Sequence, residues 1–271
     1  MTEPRGGPLA GSGDRAVAGR PALPGRGTLQ AEVAIVLALS IAATAVRAAL
    51  SIVDSLTRGE PLSSQTAAII VSRTPDRPWL DLAYHLVGIT LALAPVALVI
   101  HLLLRTGEGP RGIGLDLSEP RRDAVRGAVL AAVVGGTGLV LYLVAYNAGL
   151  SVRIAAVAVT DAWWTVPVLV LSAAENALLE EVVVLGYLLH RLDQLGVRPA
   201  VAIGASALLR GSYHLYQGLG GFVGNLAMGV LFGVLYRRWG RTGPFIVAHT
   251  LIDTVAFVGY FFLRGKISWL P

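Results

Sequence analysis

The sequence contains no cysteine and few charged residues. The lack of cysteine excludes disulfides, cysteine-ligated metal sites and thiol catalysis. Charged residues make up only 14% of the 271 residues, whereas soluble domains usually contain about 25%. This scarcity is typical of membrane proteins, and the net charge of +5 is too diluted among apolar runs to indicate a nucleic-acid partner.

Long apolar stretches account for much of the chain. Hydrophobic residues make up 54% of it, and the mean hydropathy is +0.65. A membrane-spanning helix needs about 20 apolar residues, so six to eight spans fit in this length. We therefore predict an all-α, polytopic transmembrane helix bundle with about seven spans, near 32–53, 80–104, 124–150, 163–191, 197–216, 221–236 and 244–263.

The first thirty residues differ from the rest in composition. They are rich in glycine, proline, alanine and arginine and have no apolar periodicity, which predicts a disordered cytoplasmic tail over 1–30. The apolar run that follows lacks the short hydrophobic region and cleavage site of a signal peptide, so we expect a retained anchor. The remainder, 31–271, is expected to form a single transmembrane bundle.

Lysine and arginine are distributed unevenly over the predicted connections. With the amino terminus in the cytoplasm, fourteen of the 22 basic residues fall in cytoplasmic segments, six outside, and two, Arg47 and Arg210, within spans. The positive-inside rule therefore predicts a cytoplasmic amino terminus.

Two adjacent carboxylates, Glu180 and Glu181, interrupt the apolar run at 166–189. An ionised side chain at the bilayer centre costs about 2.5 to 3.5 kcal/mol, so two neighbouring acids need a polar partner or a function. A salt bridge in a buried helix, or a glutamate that faces water at a helix end, would explain either acid alone.

Polar residues four positions apart also occur in this part of the chain: Asn176 with Glu180, Arg210 with His214, and His249 with Asp253. Residues at this spacing share a helix face, so three predicted helices each present a polar face. A lone intramembrane histidine is more often a packing residue. Polar groups at membrane depth turn inward, however, so three such faces predict one interior site.

These residue types are suited to amide hydrolysis. A glutamate in a low-dielectric pocket can take a proton from water, and a neighbouring histidine can hold that water. A second histidine beside an aspartate can donate a hydrogen bond to the developing oxyanion. The same groups could bind zinc, which would acidify a bound water. Residue types and spacing leave metal-dependent and metal-free hydrolysis open.

The order of the motifs resembles the CPBP (CAAX protease and bacteriocin-processing) or ABI family of intramembrane proteases. The resemblance extends over 167–261 and rests on Glu180-Glu181 with Gly186-Tyr187, His214 within 208–218, the sixth-span pattern at 224–236, and His249 with Asp253. The family is related to the type II CAAX prenyl endopeptidases and to bacterial bacteriocin-processing or immunity proteins. We therefore expect an integral protein of a bacterial plasma membrane.

The resemblance implies catalytic roles for Glu180, Glu181, His214, His249 and Asp253. Glu180 would activate water with His214, Glu181 would be a supporting carboxylate, and His249 with Asp253 would stabilise the oxyanion. Arg210, Asn176 and Asn225 are expected to support them. The cofactor stays unknown: zinc, held by Glu180, His214 and His249, and a metal-free mechanism are both compatible with the family.

Two positions depart from the family motifs. Leu185 stands where the family motif that contains the paired glutamates has arginine. Arg210 stands where the family motif that contains the first histidine, here His214, has phenylalanine. Loss of the cation at 185 would leave a buried acid without its local partner. We hypothesise that Arg210 supplies the missing charge from the facing helix. In the alternative, Arg210 lies elsewhere, the acids are protonated, and the protein has drifted from catalysis.

Two function classes follow. The first is an intramembrane endopeptidase that cleaves a peptide or lipid-modified protein substrate within the bilayer. The second is a membrane scaffold or immunity protein that keeps the fold without turnover, and the two motif departures favour it. A proton or ion transporter is a third reading, but an inverted repeat is not evident in the hydropathy. His85, His101 and His190 match no motif and are interpreted as non-catalytic.

Overall fold

The computed structural model describes residues 23–159 and 161–266. Within these residues the chain forms seven long helices and a small sheet. The helices are α1 (Arg26–Thr57), α2 (Pro78–Arg105), α3 (Pro120–Asn147), α4 (165–194), α5 (Pro199–Tyr213), α6 (Leu219–Trp239) and α7 (Gly243–Leu263). The strands are β1 (Thr66–Val71) and β2 (Arg153–Ala158).

Five of these helices, α1, α2, α3, α6 and α7, are long and apolar enough to cross a membrane. Helix α5 is shorter, with 15 residues, and α4 contains four acidic residues, Glu175, Glu180, Glu181 and Asp193. All seven helices coincide with predicted spans, and the prediction of a helical membrane bundle is confirmed. The first turn of α1 begins at Arg26, within the segment predicted as a tail, while residues 1–22 lie outside the described part of the chain.

The sheet was missed by the sequence analysis. Strands β1 and β2 pair in parallel, with Thr66 opposite Arg153 and Val71 opposite Ala158. Both strands lie in connections between spans, and both are short and rich in alanine and β-branched residues, so hydropathy gives only a weak signal for them.

Helix α4 forms the centre of the bundle. Its middle turns, Glu181–Tyr187, are buried at every residue. Val182, Val183 and Val184 pack against apolar residues of α1 and α2, and on the opposite side Leu185 packs with Phe232 and Phe245. The two carboxylates therefore lie at the start of the fully buried part of α4.

The helices begin and end at two opposite ends of the bundle. At the sheet end, Ser151 pairs with Gly218, and Arg264 donates a hydrogen bond of 3.3 Å to the carbonyl oxygen of Val157. At the opposite end, Arg237 contacts Asp193. The two ends of the bundle correspond to the arginine-rich and arginine-poor connections in the sequence, and the sheet lies at the arginine-poor end.

The arginine-rich end is fastened by buried ion pairs. Arg191 is fully buried and donates a hydrogen bond of 2.7 Å to Glu108, which His190 also contacts. Burial opposes ionisation of Glu108, but hydrogen bonds from Thr106, His190 and Arg191 outweigh it and lower its pKa to about 2. His190 thus takes part in an ion-pair cluster that joins the end of α4 to the segment after α2.

Two turns at this end lie in close contact, and we predict that substituting the glycine between them lowers the stability. Gly114 has a φ of +66°, and a Cβ there would lie 2.0 Å from the carbonyl oxygen of Gly240. Gly59 has a similar φ of +74° with open space around it. We expect Gly59→Ala to cost about 1 to 2 kcal/mol for the left-handed backbone.

Gly114→Ala should cost a further ~1 to 3 kcal/mol for crowding, because backbone cannot yield as a flexible side chain can. Thermal unfolding of both variants in detergent measures the difference. Equal unfolding midpoints of the two variants would show that the two turns can move apart without loss of stability.

Candidate active site

The two carboxylates lie at a change of helix geometry. Residues Thr165–Glu180 of α4 are α-helical, Glu181–Tyr187 are π-helical, and Leu188–Gln194 are α-helical again. π-Helical turns are rare and occur frequently at functional sites. The π-helical part starts at Glu181, so the change of helix geometry falls between the two acids.

Arg210 of α5 lies between the two acids. Its Nη2 is 2.8 and 2.9 Å from the two carboxylate oxygens of Glu181, and its Nη1 is 3.1 Å from Oε2 of Glu180. All three side chains are buried. A buried guanidinium is stabilised only when carboxylates and hydrogen bonds replace its hydration, and here one cation contacts two acids.

Tyr213, one turn after Arg210, completes the contacts of Glu180. Its hydroxyl donates a hydrogen bond of 2.6 Å to Oε2 of Glu180. Among the described residues, none donates a hydrogen bond to the other oxygen, Oε1. Sequence reasoning missed Tyr213, although its position on the same helix face as Arg210 was available as a signal.

A second chain of contacts joins α7 to α4. His249 Nδ1 is 2.7 Å from Oε1 of Glu181, and His249 Nε2 is 3.5 Å from Oδ2 of Asp253. Asn176 Nδ2 donates a hydrogen bond of 2.9 Å to the same oxygen of Asp253. Both ring nitrogens of His249 therefore face carboxylates.

His214 is oriented by its own helix. Its Nδ1 is 3.0 Å from the carbonyl oxygen of Arg210, and this nitrogen must be the protonated one because a carbonyl only accepts. The ring lies beside that of Tyr213, with centroids 4.8 Å apart. Nε2 is then left as the basic nitrogen of a neutral imidazole.

A cavity of about 370 Å³ extends from the sheet to the acids. Ser172, Asn176 and Glu180 line it from one face of α4, and His214 lines it from the end of α5. Glu181, Arg210, His249 and Asp253 lie behind this wall and do not line it. The structure thus separates the five predicted catalytic residues into two that line the cavity, Glu180 and His214, and three that do not, Glu181, His249 and Asp253.

Three further cavity residues were not assigned from the sequence: Glu175, Tyr216 and His85. His85 was interpreted as non-catalytic because it matches no motif. Its position in the wall depends on how α2 packs against α4, which helix spacing within one span does not indicate.

Asn225 is the predicted supporting residue that the structure does not bring to the acids. Its side chain donates a hydrogen bond of 3.0 Å to the carbonyl oxygen of Gly221 in its own helix.

Glu180, Glu181 and His249 each offer an oxygen or nitrogen ligand atom, all within 4.8 Å of one another, as a metal site would require. This set differs from the predicted one, which contained His214 in place of Glu181. Arg210, Tyr213 and His249 already contact three of the four carboxylate oxygens. A cation here would have to displace the buried guanidinium, so these residues do not fit a metal ion.

The fold and site together define a helical integral membrane protein with a cavity lined by two glutamates and two histidines. A family model described as type II CAAX prenyl endopeptidase Rce1-like matches residues 161–255, about a third of the chain. The match confirms the resemblance drawn from the motifs, covers all five predicted catalytic residues and supports membership of the CAAX protease family. No curated protein and no solved structure has a significant match.

Proposed function

We propose that this protein is an intramembrane endopeptidase that hydrolyses a peptide bond with water held between Glu180 and His214. The observation that supports it most is the division of the two acids. Glu181 is bound on both oxygens by Arg210, whereas Glu180 lines the cavity and keeps Oε1 without a donor among the described residues.

Glu180 acts as the general base in this proposal, and His214 Nε2 holds the same water. Proton transfer by a positioned carboxylate or histidine contributes about 10²- to 10⁴-fold to a rate. Tyr213 and Arg210 fix the carboxylate through Oε2, so that Oε1 is directed at the water.

The oxyanion requires a donor on the cavity side. Asn176 lines the cavity, and Asp253 accepts one of its two amide hydrogens. The second amide hydrogen is available to the developing oxyanion. His249 and Asp253, which the resemblance associates with the oxyanion, would then act as positioning residues through Asn176 and Glu181.

Turnover by the purified protein tests this function. We expect cleavage of a quenched-peptide library in liposomes. We also expect a chelator to leave the rate unchanged, because the Arg210 guanidinium occupies the position that a metal ion would need. Loss of turnover on chelation, with recovery on adding zinc, would contradict the metal-free mechanism while leaving a peptidase in place.

A membrane scaffold or immunity protein is the second candidate. The contact of one guanidinium with both acids favours it, because a carboxylate held by a guanidinium is less able to act as a base. An absence of turnover across the library, together with binding of a membrane partner that neither Glu180→Ala nor His214→Ala alters, would support this role.

We further propose a bacterial plasma membrane location with the amino terminus in the cytoplasm, which directs the sheet and the cavity mouth outward. The chain lacks cysteine, so a single introduced thiol reports its own side. Glu60→Cys, before β1, should react with an impermeant maleimide on intact cells, and Glu119→Cys, before α3, should react only after lysis. The reverse pattern would invert the orientation.

A further inference from the structure

The wall of the cavity includes one edge of the small sheet. Ile69, Ile70 and Val71 of β1 line the cavity together with Glu180 and His214. Strand β2 covers the other edge of β1 and contributes no residue to the lining. Within the described chain, the sheet has two strands, so the cavity edge of β1 has no strand partner.

The backbone pairing shows which groups this edge presents. The carbonyl oxygen of Gln65 accepts a hydrogen bond from Arg153, and the N–H of Ser72 donates one to Ala158. Backbone groups of successive residues point to alternate edges of a strand. The residues next to these two bonds, Thr66 at the start of β1 and Val71 at its end, therefore direct their backbone N–H and C=O groups away from β2. Gln65 and Ser72 lie an odd number of positions apart, so the alternation changes phase once, near Ile69, which has no partner in β2.

The edge is held in place by α2. Asp81 is fully buried, and its carboxylate accepts hydrogen bonds from the Ser72 hydroxyl at 2.8 Å and from the backbone N–H groups of Arg73 and Thr74 at 2.7 and 3.2 Å. The residues that directly follow β1 are thereby fixed. A strand edge fixed in this way costs less ordering when a partner pairs with it.

We propose that β1 binds the substrate of the peptidase by strand addition, so that an extended apolar peptide segment pairs with the free edge beside Glu180. The inference rests on the proposed function and names its substrate class. Continuity of the edge with the cavity specifies a peptide, because only a backbone satisfies a row of alternating N–H and C=O groups. The walls formed by Ile69, Ile70, Ile89 and Phe257 specify apolar side chains.

An N-methyl scan of a peptide tests the proposal. The probe is a fluorescent nine-residue peptide of valine, threonine and alanine, with one backbone amide methylated at a time. Binding is measured on Glu180→Gln in liposomes, and cleavage is measured on the native protein. Strand addition predicts losses in affinity of about tenfold at alternate positions, with little change between them, because every second amide faces the edge.

A variant of β1 gives the matching result from the protein side. Val71→Pro removes a free-edge N–H and no bond to β2, whereas Val71→Thr keeps the N–H with a similar shape. We expect KM to be about tenfold higher in the proline variant than in the threonine variant, because only proline removes the N–H.

The outcomes separate the two proposals. Cleavage with equal sensitivity at every position, or equal KM in both Val71 variants, would overturn strand addition and leave the peptidase standing. Period-two binding without cleavage would keep strand addition and contradict the peptidase for this peptide. No binding of the unmethylated probe would overturn strand addition.

Discussion

Glu180→Gln should lower kcat for peptide hydrolysis by about 10²- to 10⁴-fold, the usual contribution of a general base. Glutamine keeps the shape of the side chain and an oxygen that can accept hydrogen bonds from Tyr213 and Arg210. It lacks the basic carboxylate that takes the proton from water. Stopped assays with purified protein in liposomes measure the loss, and circular dichroism and thermal unfolding check that the variant folds.

Glu175→Gln is the matched control for this prediction. Glu175 lies on α4 and lines the same cavity, but within the described residues no ion pair or hydrogen bond ties it to Arg210. It should retain most of the turnover. If Glu175→Gln lost activity and Glu180→Gln kept it, the base would be assigned to the wrong carboxylate of α4.

The bundle was predictable because membrane burial leaves a strong pattern in sequence. Each helix needs about 20 apolar residues in a row, and such runs are visible without any knowledge of packing. The polar faces were visible for a related reason. His249 and Asp253, four residues apart in an apolar span, share a helix face, and the structure places His249 against Glu181 and Asp253 against His249.

The details of the site depended on packing that local sequence does not encode. The π-helical turns from Glu181 to Tyr187 have an apolar sequence compatible with an ordinary α-helix. β1 is short and lies in a polar connection, so its place in the cavity wall follows from contacts with β2 and α2. Asn225 was predicted to support the site because it lies in a matching motif, but its side chain forms a hydrogen bond within its own helix.

The two positions that depart from the family motifs, Leu185 and Arg210, lie in the same part of the structure. Leu185 is buried beside Phe232, and the guanidinium carbon of Arg210 lies 5.7 Å from the centre of that ring. Leu185 and Arg210 therefore both lie near the same aromatic side chain. This geometry supports the hypothesis that Arg210 replaces the cation missing at 185.

Arg210→Phe should cost about 3 to 5 kcal/mol of stability, the usual cost of removing one partner of a buried ion pair. Two acids that are nine-tenths or more buried would lose their shared cation, and the phenylalanine cannot satisfy either of them. Unfolding in mixed micelles measures the loss, and turnover should fall with it because Glu180 is no longer oriented through Oε2.

Adding Leu185→Arg to this variant should recover part of both stability and turnover, since it restores a guanidinium at the position where the family motif has one. Leu189→Arg with Arg210→Phe is the matched control, because Leu189 is equally buried in the same apolar cluster but lies one turn further from the acids. Rescue by the arginine at 185 and not at 189 would show that the charge acts on the acids. If the double variant with Leu185→Arg behaves like Arg210→Phe alone, the two positions are not exchanged.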